Sequence, residues 1–110
     1  MGRKQYMLVL ITTGSFGEAE RIAKALVTEK FAACVNIVEK CTSIYRWKGR
    51  VVKDDESLLI AKTSRHLFSR LSRRVNELHG YDVPEVIGIS LDAVDSGYLG
   101  FLEDALGTDH

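Results

Sequence analysis

Few side chains in this 110-residue sequence are of the kinds that ligate soft metals: two cysteines and three histidines. Thiolate and imidazole suit copper or zinc, and a carboxylate can complete such a site. Each candidate also has a structural reading. Cys34 stands in an apolar stretch, where a cysteine behaves as a small hydrophobe. His79 ends a helical pattern, where an imidazole complements the helix dipole. Glu85 follows Pro84 at the start of a strand, where a carboxylate serves as a hydrogen-bond partner. Cys34 and Cys41 lie on one predicted strand, seven positions apart. Fully extended, that spacing is ~23 Å, far beyond the ~7 Å limit for a disulfide. Cys41 reads as structural, and no C-x-x-C pair is present.

Enzyme chemistry finds little support. No serine or cysteine sits in a nucleophile motif with a recognisable base. Thr13-Gly14-Ser15-Phe16-Gly17 joins a strand to a helix, where backbone amides often cradle phosphate, yet it lacks the spacing and lysine of a P-loop. An acylphosphatase-type arginine loop is missing, and the segment Leu58-Leu59-Ile60-Ala61 lacks the aromatics of an RNA-recognition strand. Arg65, Arg70, Arg73 and Arg74 crowd one helix side and read as a solvated face. Fifteen basic residues balance fifteen acidic ones, so nothing steers the chain to nucleic acid or an anionic membrane. The run Met7 to Ile11 is too short for a signal segment or a bilayer span. The expectation is a cytoplasmic, non-enzymatic protein of one domain, residues 1–110, that requires no cofactor.

These residues must be positioned by a small set of elements. Tyr6 to Thr12 is a strand with a continuous apolar run. Ser15 and Glu18 have capping-box spacing, and Ala19, Ile22, Ala23, Leu26 and Val27 repeat at helical period. Cys34 to Ser64 reads as one long hairpin reversing at Trp47-Lys48-Gly49-Arg50, with Gly49 taking a positive φ. Its arms would reach ~40 Å, more than the width of a domain this size. Ser64 is expected to cap a second helix carrying Leu67, Phe68, Leu71, Val75 and Leu78, and Gly80 to stop it in the left-handed conformation. Val86 to Leu91 is a fourth strand, and Ser96 begins a last helix.

The order is β-α-β-β-α-β plus a terminal helix, which suits a split βαβ sheet with the first and third strands central. Helices would cover one face of that sheet. The central strands are nonetheless apolar on both faces, so the bare face is expected to be covered by another copy of the chain.

Four blocks identify a family. Ala33-Cys34-Val35-Asn36-Ile37, Ser43-Ile44-Tyr45-Arg46-Trp47-Lys48-Gly49, Leu59-Ile60-Ala61-Lys62-Thr63 and Leu78-His79-Gly80-Tyr81-Asp82-Val83-Pro84-Glu85-Val86 resemble the core blocks of CutA, the divalent-cation-tolerance family. Gly80 stands where the family usually has Pro, and Asp82 where it has Glu. The resemblance implies an α+β, ferredoxin-like βαββαβ sandwich with an extended hairpin and a C-terminal helix, assembled as a homotrimer. It implies a role with copper or another divalent metal ion, with Cys34, His79 and Glu85 as metal candidates. Trp47, Lys62, Tyr81 and Asp82 become candidates for a ligand or inter-subunit cleft, and Ile44, Tyr45, Trp47 and Val51 for the trimer hairpin. Trp47 either stacks on a ligand or packs on a neighbour. Lys62 either holds an anion at a subunit seam or pairs with a carboxylate such as Glu85. The alternative is a PII-like regulatory trimer that senses a small molecule or nucleotide between subunits, with no metal role.

Overall fold

Two strands with apolar residues on both sides have to lie inside a sheet, and they do. The structure, a computed structural model, describes residues 5–107. Its elements are β1 (Tyr6–Thr13), α1 (Phe16–Thr28), β2 (Cys34–Trp47), β3 (Arg50–Ser64), α2 (Phe68–Leu78), β4 (Val86–Ser90) and α3 (Ser96–Leu106). The antiparallel sheet has the order β2-β3-β1-β4. This is the expected α+β, ferredoxin-like arrangement with β1 and β3 in the middle.

Alternate residues of the central strands point to opposite faces. Val9, Ile11, Leu59 and Ala61 are buried against Ile22 and Leu26 of α1 and Leu71 and Val75 of α2. At Gly88 a Cβ would stand 2.9 Å from Met7 Cε and 3.0 Å from Phe68 Cε1, so β4 approaches α2 this closely only without a side chain. A second cluster joins Ala33 and Leu67 to Leu102 and Leu106 of α3.

The other face carries rows set by the register. Ile60, Leu10 and Ile87 form one row, and Lys62, Leu8 and Ile89 form the next. These apolar residues belong to neither core cluster and are half-buried or exposed, Ile87 at 49% and Ile89 at 44%. The bare apolar face expected from the strand patterns is therefore present.

The hairpin closes through Trp47↔Arg50, with Lys48 at φ 50 and Gly49 at φ 80. Two positive φ angles make a primed turn, whose twist matches that of the strands. The molecule measures 44 Å along its long axis, against 25 and 22 Å across. Ile44, Tyr45, Trp47 and Val51 are exposed near the tip. One feature was not legible in the pattern. Val38 pairs with Leu58 and Cys41 with Glu56, so Glu39 and Lys40 together oppose Ser57 in a bulge. The Ser57 hydroxyl donates to the Glu39 carbonyl at 2.6 Å and holds the bulge.

Two expectations about α2 fail. Ser64 does not cap it: its hydroxyl bonds His66 Nδ1 at 3.0 Å, and a 3-10 turn over Arg65–Leu67 precedes the helix. Nor is Gly80 left-handed; among the described glycines positive φ occurs at Gly49 and Gly107. The helix stops one residue earlier, because His79 is extended at φ -82, ψ 145.

Candidate functional site

Burial of the His79 ring explains that early stop. Its side chain is fully enclosed. Nδ1 accepts from the Tyr81 amide at 3.0 Å, so the ring proton belongs to Nε2, which donates to the Thr12 carbonyl at 2.7 Å. The imidazole is thus a bracket between the end of β1 and the turn after α2.

Glu18, in the first turn of α1, is the second bracket. Ser15 caps the helix by accepting from the Glu18 amide at 3.1 Å. The Glu18 carboxylate does not close the box on Ser15. It accepts from Gly14 N at 3.2 Å and from Gly80 N at 2.6 Å, and lies 3.7 Å from His79 Nδ1. It thereby ties the loop after β1 to the loop after α2. Glu18→Ala should cost about 1.5–3 kcal/mol, the range for hydrogen bonds to a charged group. Urea unfolding would check it; an unchanged midpoint would mean that water replaces the carboxylate fully.

Tyr81 extends this network to the base of the hairpin. Its hydroxyl donates to Glu56 Oε2 at 2.8 Å, its ring lies 4.7 Å from that of His79, and Glu56 itself is buried. Tyr45 makes a parallel bond to Asp54. Burial, and then the Glu56 carboxylate, push the Tyr81 phenol well above its ordinary value of 10.0. The folded state therefore holds a proton that the unfolded state releases above pH 10. The contribution of Tyr81 to stability should be level below that pH and fall as it rises further. Tyr81→Phe should flatten that fall, as alkaline unfolding midpoints would show.

The expected metal set is not assembled within one chain. Among the described residues, no three His, Cys, Asp or Glu side chains are grouped closely enough to hold a metal ion. The reasons are specific. Cys34 pairs with Lys62, level with Leu8, whereas His79 binds the carbonyl of Thr12. Four residues of β1 separate those levels, ~13 Å along the strand. Both His79 nitrogens are also engaged. Glu85 is exposed before β4, and Asp82 is exposed in the same loop beside Val83, which is 81% exposed. Lys62 does not pair with Glu85; its ammonium donates to Asn36 Oδ1 and lies 3.8 Å from Cys34 Sγ. Trp47 is 57% exposed, with Lys48 Nζ 5.8 Å from its ring centroid. Both cysteines are free, as their spacing required.

The structure thus joins His79 and Tyr81, and adds two carboxylates that sequence reasoning missed. Glu18 had a visible signal in its capping-box spacing, but nothing local showed that it would reach Gly80. Glu56 had none beyond standing in an acidic run on a strand.

Comparison with known proteins agrees with this architecture. Residues 7–105 match the family described as CutA1 divalent ion tolerance protein. The chain is 50% identical to the "Divalent-cation tolerance protein CutA" of Thermus thermophilus over 91% of its own length and 97% of that protein's. It is 40% identical to the chloroplastic CutA of Arabidopsis thaliana over 90% of its length, spanning 54% of that longer relative. A solved structure of a Thermus thermophilus divalent cation tolerance protein superposes with a TM-score of 0.89 at 49% identity, covering 93% of this chain and 99% of that one. Sequence match and superposition extend through hairpin, loops and helices alike, and the chain belongs to the CutA1 divalent ion tolerance family.

Proposed function

We propose that this protein acts in tolerance of divalent cations as a homotrimeric binding protein without catalytic turnover, its hairpin docked on a neighbouring copy and its ligand sites in the clefts between subunits. The observation that carries the reading is the uncovered apolar face, with Ile87 and Ile89 exposed and no second layer among the described residues to shield them. The exposed tip residues Ile44, Trp47 and Val51 extend the same argument to the hairpin. The names of the relatives support the link to divalent ions.

Among the described residues a metal ion finds no cage within one chain. Copper or another divalent ion would be taken up where copies meet. Cys34 is half-buried and Glu85 exposed, and both would be open to such an ion, while His79 would first have to leave Thr12 and Tyr81. Sedimentation at micromolar concentration tests the assembly: a stable folded monomer ends the reading. Cu(II) titration of the metal-stripped protein tests the ion. Saturable binding weakened by Cys34→Ser supports it, and coincident isotherms for wild type and Cys34→Ser remove Cys34 from the site.

A further inference from the structure

Lys62 is a cation in an unusual setting. It stands between Cys34 on β2 and Leu8 on β1, with Ile89 beyond Leu8. It is half-buried and makes no ion pair among the described residues. The Asn36 amide oxygen accepts from Nζ, and the Cys34 sulfur lies 3.8 Å away. An ammonium has three donors, so at least one N–H is unclaimed. Asn36 is exposed, and its oxygen holds the ammonium from the β2 side. The nearest acidic residue on the same strand, Glu56, is six residues away, ~20 Å along an extended chain, and already receives the Tyr81 hydroxyl.

We propose that Lys62 and Asn36 form a subsite for a small oxyanion, phosphate or carboxylate, at the seam between two copies. The proposal rests on the reading of the open sheet face as a subunit interface. Water satisfies the ammonium while that face is bare. When a second copy covers the adjoining row of Ile60, Leu10 and Ile87, the water is thinned and an unpaired charge there becomes costly. No carboxylate among the described residues of the same chain pairs with it, and the unclaimed N–H of the ammonium recruits an oxyanion from solution through a charge-assisted hydrogen bond.

The test is calorimetric titration of the wild-type protein with inorganic phosphate and, separately, with acetate, chloride being exchanged to hold ionic strength constant. Sedimentation is measured on the same samples. Saturable binding of either anion is expected, and which one binds names the source. Lys62→Met should weaken it about tenfold or more while the oligomer persists, as loss of one charged hydrogen bond implies. Lys62→Arg should retain it. A wild-type oligomer that takes up neither anion, or a Lys62→Met oligomer that binds as wild type does, overturns the subsite. Loss of the oligomer in Lys62→Met without any anion effect in wild type also overturns it, since the counter-charge is then a neighbour's carboxylate. Should Lys62→Met not fold, the wild-type and Lys62→Arg isotherms decide. A monomer that still binds the anion through Lys62 refutes the interface and keeps the subsite.

Discussion

Ile87→Asp should convert the assembly to monomers that stay folded. In the isolated chain Ile87 is 49% exposed, on the edge strand β4, and Asp there loses part of an isoleucine's burial and some strand propensity, about 1–2 kcal/mol. In the proposed trimer the same carboxylate would be pressed onto a neighbour's apolar surface. An unpaired charge buried at an interface costs on the order of 3–5 kcal/mol, repeated in every subunit. The two readings therefore differ by several kcal/mol on one substitution. Sedimentation should show the loss of the oligomer, and far-ultraviolet circular dichroism should show the α+β fold retained. An Ile87→Asp protein that still sediments as wild type would place the interface elsewhere.

Trp47→Ala should lower the unfolding midpoint and make it more dependent on protein concentration. With 57% of Trp47 exposed in the single chain, docking has on the order of 100 Å² left to bury, worth about 2–3 kcal/mol per subunit at ~25 cal/mol per Å². Mass action then requires the midpoint to fall on dilution as subunits part. The protein has one tryptophan, so its emission reports the contact directly: blue-shifted in the assembly, red-shifted on dissociation. Water-like emission from an intact wild-type oligomer would refute docking of the tip. Lys48 above the indole leaves much of the ring uncovered and does not substitute for a neighbour.

The hairpin was legible because its signal is local. Strand-forming residues flank the turn, and Gly49 signals one of the two positive φ angles of a primed turn; that Lys48 takes the other shows only in the structure. The bulge at Glu39 and Lys40 was not, since a bulge is a mismatch between two strands and neither strand alone displays it. The same distinction separates the site residues. That His79 ends a helix follows from the apolar period before it; that both its nitrogens are consumed follows from Thr12, 67 residues earlier.

By itself the sequence determined the order of elements, the central places of β1 and β3, and an apolar face in need of a cover. Side-chain period and turn chemistry act within a few residues, and they decide those things. Only the tertiary structure decided that Glu18 bridges Gly14 to Gly80, that Tyr81 reaches Glu56, and that Cys34 and His79 stand at different levels of the sheet. Those facts depend on strand register and on where α2 stops. Register is set by the whole core packing at once, so no stretch of residues carries it alone.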